Sequence, residues 1–176
     1  MTRRRDKKGR NLLLQALVVI ILLSLTGVAF SQNVLSGRGG ENLPQVVAGL
    51  KVVRHLHGDE ARANINRLHG LNITLSQAYV IWYEGDKGRA TVWVGDSETQ
   101  VEAAELLNRM VEAIRRTGPS DMLTQVTVSG HPVWRMEEAS GEFFFYQSHE
   151  LKNRVVWVTV EAGDALSFLN GAVMVF

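Results

Sequence analysis

The chain has 176 residues, enough for one domain beyond an anchor and a linker. Its formal net charge of +1 combines a strongly basic start, in residues 1–10, with a mildly acidic remainder that lacks a long basic stripe. This distribution argues against nucleic-acid binding, and the absence of cysteine excludes disulfides, thiol nucleophiles and cysteine-ligated metal centres.

The N-terminal segment predicts a membrane anchor. Residues 11–30 form an apolar run without a charged residue, and about 20 such residues in a helix cross a bilayer core of about 30 Å. The basic tail at 1–10 should stay in the cytoplasm, which places the rest of the chain on the extracytoplasmic side of the cell membrane. The sequence therefore predicts a single-pass protein that contacts the lipid bilayer through residues 11–30. A cleaved signal peptide is the alternative, although its apolar region is usually shorter.

The anchor is followed by a flexible spacer and then by the folded part. Residues 31–45 are rich in glycine and small polar residues, which predicts the spacer, and residues 46–176 form the extracytoplasmic domain. The segment 46–54 is a strand or loop entering the fold. A short helix is expected from Asp59 to Gly70, with acidic residues in its first turn and a glycine at its end.

A hairpin and a long helix come next. The strands 79–84 and 89–94 are rich in β-favouring residues and are joined by the turn 85–88. The helix spans 97–116 and carries an apolar stripe at helical spacing. Asp96 or Ser97 is its expected N-cap, and Gln100 stands three residues after Ser97, as in a capping box.

Four further strands and a final helix complete the domain. The strands are expected at 123–128, 133–137, 142–147 and 154–160, with turns between them. Asp164 is the expected N-cap of a helix that continues to Phe176, and Gly171 weakens the second half of that helix.

These elements predict an α+β fold, with one antiparallel sheet and the helices packed on one face. The pattern of a hairpin followed by a helix occurs twice, and Trp93 and Trp157 occupy matching positions ahead of the two helix caps. A duplicated β-β-α unit would explain this echo. Convergence on a common supersecondary pattern is the alternative explanation.

The residues with obvious metal-binding or acid–base potential are the five histidines, His55, His57, His69, His131 and His149. On a strand, His55 and His57 would point to the same side, where two imidazoles could hold one metal ion. A third ligand would have to come from His69, Asp59, Glu60 or the distant His131. No carboxylate or third histidine stands at a recognised spacing, so a solvated, hydrogen-bonded role is the favoured interpretation. The sequence therefore predicts no metal and no cofactor.

The sequence shows no catalytic motif. There is no Gly-x-Ser-x-Gly elbow, no phosphate-binding glycine loop and no dinucleotide fingerprint. The adjacent carboxylates Glu137 and Glu138 would point to opposite faces of a strand, which does not suit a glycosidase pair. No catalytic residue is predicted.

Aromatic residues are concentrated in the expected strands, and in one of them they occupy both faces. Exposed aromatic patches mark binding sites, so the sequence predicts a binding face among these residues. The candidates are Tyr79, Tyr83, Trp134, Phe144 and Tyr146. The alternative is a core strand that is covered on both faces.

The sequence thus predicts a membrane-anchored protein whose extracytoplasmic domain is a non-enzymatic binding module for a protein partner or a small ligand. One alternative is a histidine- or metal-dependent enzyme at the outer membrane surface. Another is a structural subunit of a membrane complex, whose anchor would pack on other helices through small or polar residues. These residues are Gln15, Ser24, Thr26 and Gly27.

Overall fold

The computed structural model describes residues 43–69, 72–119, 122–138 and 141–176. Its strands are β1 (Val46–Val47), β2 (Leu50–His57), β3 (Gln77–Gly85), β4 (Gly88–Asp96), β5 (Leu123–Val128), β6 (His131–Glu138), β7 (Gly141–Gln147) and β8 (Arg154–Ala162). Its helices are α1 (Gly58–His69), α2 (Gln100–Thr117) and α3 (Ala165–Val175). The predicted anchor at 11–30 and the basic tail lie outside the described residues. Within the described ranges, no helix has the length and apolar character to span a membrane.

The eight strands form one antiparallel sheet, in the order β1-β2-β3-β4-β8-β7-β6-β5. Two meanders, one from each half of the domain, meet at the central pair β4–β8. In that pair Trp93 lies directly opposite Trp157. The α+β class and the single antiparallel sheet are therefore confirmed.

The helices occupy both faces of the sheet, so the prediction that all of them pack on one face was wrong. Helices α1 and α2 pack on the face that carries Val80, Val155 and Phe145, whereas α3 packs on the face that carries Ile81 and Val156. Neighbouring strand residues point to opposite faces, and on the central strands both sets are apolar, so each face needs a cover. We call these surfaces the α1–α2 face and the α3 face.

Because α2 and α3 lie on opposite faces, the internal repeat includes the strands but not the helices. A two-fold axis that relates neighbouring antiparallel strands is perpendicular to the sheet, so it keeps each face on its own side. A complete duplication of hairpin and helix would put α2 and α3 on the same face. Trp93 and Trp157 fit such an axis, but the two helices do not.

The sheet coils around α3, so that both edge strands contact this helix. On one side, the Ser129 hydroxyl in the β5–β6 turn donates a hydrogen bond to Asn170 Oδ1 at 3.0 Å. On the other side, Val47 of β1 lies so close to Gly171 that an added Cβ would meet its Cγ1 at 3.0 Å. Gly171 therefore lets α3 approach the sheet edge, and the helix continues through this glycine to Val175.

Helix α2 begins later than predicted. Its N-cap is Thr99, whose hydroxyl accepts a hydrogen bond from the Glu102 backbone N–H, while the Glu102 carboxylate accepts from the Thr99 N–H. Asp96 is unavailable as a cap because it is paired with Arg154, and the Ser97 N–H donates to the Asn153 carbonyl. The capping box exists, but it is shifted by two residues along the chain.

Candidate functional site

An open groove of about 250 Å³ lies on the α1–α2 face, at the corner formed by the β5–β6 turn and the end of β7. Helix α2 starts beside the end of β7 and packs near its own end on Leu123, at the start of β5. It therefore crosses the sheet diagonally and leaves this corner uncovered. We call the cavity the Trp134 groove and define it by Gln100, Gln125, His131, Trp134, Gln147 and His149.

Trp134 on β6 is the aromatic residue of the groove. The side chain is half-buried, and the guanidinium of Arg115 on α2 stacks over its ring, with Cζ 5.0 Å from the ring centroid. Its register partners on β5 and β7 are Gln125 and Phe145. The cation–π contact and the strand packing hold the indole in place beside the cavity.

Carboxamides from three elements line the cavity together with this indole: Gln100 on α2, Gln125 on β5 and Gln147 on β7. The Gln147 amide nitrogen donates to the backbone carbonyls of Gln100, at 3.3 Å, and of Lys152. These bonds use the donors of the amide and fix its orientation, so its oxygen remains to serve as an acceptor. The groove therefore offers positioned polar groups beside an aromatic surface.

Two histidines meet at the same corner. His131 opens β6 and His149 follows β7, and their ring centroids are 4.6 Å apart. Lys152 also lines the groove, and the described lining includes no carboxylate. The lining therefore suits a neutral or anionic polar group rather than a cation.

The structure brings only one of the five predicted binding residues to the groove, namely Trp134. The other four, Tyr79, Tyr83, Phe144 and Tyr146, are buried in the core of the α3 face. They point to the face that α3 covers, so they do not form the exposed aromatic surface that the sequence suggested.

The predicted histidine candidates give no metal centre within the described residues. His55 and His57 are exposed on β2, with ring centroids 6.4 Å apart. The side chain of His69 lies outside the described part. Among the described side chains, no group of three or more histidine, cysteine, aspartate or glutamate residues converges.

Sequence reasoning missed most of the groove. His131 opens β6 and His149 lies after β7, so the two are separated in the sequence, and the sheet order brings them together. The three glutamines carried no sequence signal, because single glutamines occur on most exposed surfaces. The predicted meander of β6 and β7 could have suggested that positions 131 and 149 lie close together. It could not have shown which side chains would line a cavity there.

Fold and site together define an α+β domain with one coiled eight-stranded sheet and an open polar-aromatic groove. Comparisons of the chain with protein-family models, with curated proteins and with solved structures give no match.

Proposed function

We propose that this is a single-pass membrane protein whose extracytoplasmic domain, residues 46–176, is a non-enzymatic binding module for another protein or a small ligand. Residues 11–30 are the anchor, with the basic tail in the cytoplasm. The observation that carries the binding role is the Trp134 groove, where the indole and three carboxamides from separate elements converge on one open corner.

The contacts around the groove support a preorganised site. Arg115 holds the indole, and the Gln147 amide is bonded to two backbone carbonyls. Side chains that are fixed before binding lose little conformational entropy when a ligand arrives, which raises affinity. The indole and the Gln147 carboxamide are therefore held in place at an open corner of the domain.

The absence of cysteine allows a direct test of the topology. Thr2→Cys and Lys87→Cys each introduce a single thiol, the first in the basic tail and the second at the exposed β3–β4 turn. Intact cells are treated with a membrane-impermeant maleimide. We expect labelling of Lys87→Cys only, with labelling of Thr2→Cys after lysis. The reverse pattern would overturn the orientation.

Photo-crosslinking in intact membranes tests the groove. A photoreactive amino acid replaces Gln100 in the groove, and in the control it replaces Lys87 on a distant hairpin. We expect a specific adduct at position 100, identified by mass spectrometry, and at least about a tenfold lower yield in Trp134→Ala. The same adducts at both positions, or a yield that Trp134→Ala leaves unchanged, would contradict a binding role of the groove.

A further inference from the structure

Strand β5 presents an unpaired edge of the sheet. Among the described residues it pairs only with β6, and all six of its residues are in register with that strand. Thr124, Gln125 and Thr127 are exposed. Within the described ranges, one full side of the β5 backbone is therefore open to hydrogen bonding.

This edge lacks the usual protection against pairing. Strand β5 reads Leu-Thr-Gln-Val-Thr-Val, with no charge, no proline and no bulge. The opposite edge differs, because β1 covers the start of β2 and a register shift follows between Val52 and Arg54. Charges and bulges are the devices that keep sheet edges from pairing, and β5 has neither.

The β5–β6 turn identifies which backbone groups point outward. Ser129 and Gly130 both have positive φ angles, and Val128 faces His131 across this two-residue turn. In such a hairpin the flanking pair is hydrogen-bonded, and the bonding alternates along the ladder. Val128, Val126 and Thr124 therefore bond to β6. The N–H and C=O groups of the intervening residues, Thr127, Gln125 and Leu123, point to the open edge.

We propose that β5 pairs antiparallel with β5 of a second copy of this chain, with the two-fold axis at Gln125. This register opposes Gln125 to Gln125 and Thr127 to Leu123, so all the outward backbone groups of both strands are bonded. A shift of the axis to Thr124 or Val126 would leave some of them unpaired. The strand is thus complementary to itself.

The side chains also favour a second copy. In this register Thr124 faces Val126 of the other copy on the α3 face, and such pairs of β-branched residues stabilise sheets. No like charges oppose each other on β5, because the strand has no charged residue. A highly charged partner segment would find no opposite charge on this strand, whereas a second copy matches its uncharged, β-branched side chains. We therefore assign the edge to a second copy of the chain.

Pairing would extend the Trp134 groove. Gln125 belongs both to the groove and to the two-fold axis, and hydrogen-bonded antiparallel residues have Cα atoms about 5.5 Å apart. Each groove then gains the Gln125 carboxamide of the second copy at its rim, and the two grooves become neighbours on one continuous sheet. This inference goes beyond the proposed binding role and does not depend on it.

Single-cysteine variants of the full-length chain, oxidised in membranes, test the register. Cys at position 125 lies at the axis, within disulfide reach of its copy. Two residues at position 127 would be about 14 Å apart, four residues out of register. We expect Gln125→Cys to give a product of twice the chain mass, and Thr127→Cys to give at least about tenfold less. Equal yields, a monomer only, or a Gln125→Cys adduct with a different protein would overturn the proposal.

A backbone test is added in the Gln125→Cys background. Thr127→Pro removes an outward N–H and keeps the bonds to β6, and proline is tolerated at such edge positions. Thr127→Val is the control, because it keeps the N–H. We expect the proline to lower disulfide formation about tenfold and the valine to leave it unchanged. A proline variant with normal circular dichroism and full cross-linking would contradict strand pairing. Trp134→Ala should leave the cross-link intact even if it abolishes ligand binding.

Discussion

At the scale of single residues, a buried ion pair joins Asp96, the last residue of β4, to Arg154, the first residue of β8. Arg154 donates from Nε to Asp96 Oδ1 at 2.7 Å and from Nη2 to Asp96 Oδ2 at 2.9 Å. The two side chains are only 5% and 13% exposed. A buried charge without its partner is costly, whereas loss of both charges is tolerated far better.

We therefore expect Arg154→Met to lower the free energy of unfolding by about 3–5 kcal/mol, because it leaves the Asp96 carboxylate buried and unpaired. The double variant Asp96→Val/Arg154→Met should be clearly more stable than Arg154→Met. Urea unfolding measures both. The control is Arg89→Met, since Arg89 and Glu161 are more exposed and 3.9 Å apart; its effect should stay below about 1 kcal/mol. Equal losses in Arg154→Met and Arg89→Met would contradict the importance of the buried pair.

Two buried tyrosines make stability depend on alkaline pH. Burial raises the pKa of Tyr83 far above its ordinary value, and burial also raises the pKa of Tyr146 despite the opposing effect of Arg154. The folded chain thus keeps protons that the unfolded chain releases above about pH 10. Stability is fully present below that pH and falls as the pH rises above it, by up to about 1.4 kcal/mol per pH unit for each tyrosine.

Urea unfolding at a series of pH values, with Tyr→Phe variants, checks this dependence. Tyr83→Phe and Tyr146→Phe should each reduce the alkaline slope. At neutral pH they should differ, because the Tyr83 hydroxyl donates to the Pro44 carbonyl at 2.7 Å, whereas the buried Tyr146 hydroxyl has no hydrogen-bond partner in the described part of the chain. Tyr83→Phe should cost about 1 kcal/mol and Tyr146→Phe less. A flat stability profile above pH 10 in the parent chain would be inconsistent with buried tyrosines.

At the scale of elements, two turn glycines with positive φ have different surroundings. A Cβ at Gly88, where the β3–β4 hairpin meets the end of β8, would collide with the backbone of Ala162. A Cβ at Gly130, in the β5–β6 turn, would meet nothing within 4 Å. At both positions the positive φ angle is unfavourable for a residue with a side chain. Only at Gly88 would the side chain also clash with neighbouring backbone atoms.

We expect Gly130→Ala to cost about 1 kcal/mol from its backbone conformation alone. Gly88→Ala should cost more, about 2–4 kcal/mol, because the backbone of β8 has to move. Thermal unfolding of the two variants provides the comparison. Similar losses in the two variants would contradict the close approach of the Ala162 backbone to Gly88.

The limits of sequence reasoning at this scale are visible in α2. Its apolar stripe and its end, predicted at residue 116 and found at Thr117, could be read from the sequence, because both depend on local spacing. Its start was misplaced, since Asp96, Ser97 and Thr99 are all acceptable caps. The choice of Thr99 follows from the pairing of Asp96 with Arg154, 58 residues away, which no local pattern reveals.

At the scale of the whole molecule, α3 is the centre around which the sheet coils. Phe168 is 2% exposed and its ring meets Tyr83, with centroids 5.5 Å apart. Leu166, two residues earlier, is 55% exposed. The buried stripe of α3 therefore fills the curved face, while its outer side adds little to the core.

Phe168→Ala should lower the free energy of unfolding by about 3–5 kcal/mol, because it opens a cavity between α3 and the sheet. Leu166→Ala on the same helix should change it by less than about 0.5 kcal/mol. Denaturant unfolding of both variants checks the contrast. A small loss in Phe168→Ala would mean that the sheet keeps its shape without α3.

The sequence by itself determined the α+β class, the approximate strands and helices, and the presence of aromatic residues on both faces of the strand at 142–147, since these depend on residues close together in the chain. It also predicted the anchor and the binding role, which stay predictions. The tertiary structure decided that α3 covers the face opposite α1 and α2, that Tyr79, Tyr83, Phe144 and Tyr146 are core residues, and that the histidines and glutamines around Trp134 form a groove. The physical reason is that sheet order, coiling and the diagonal path of α2 are set by contacts between distant segments. The local sequence pattern of a helix or strand is the same whichever face of the sheet its apolar side packs on. Only the packing of the complete sheet decides which face that is.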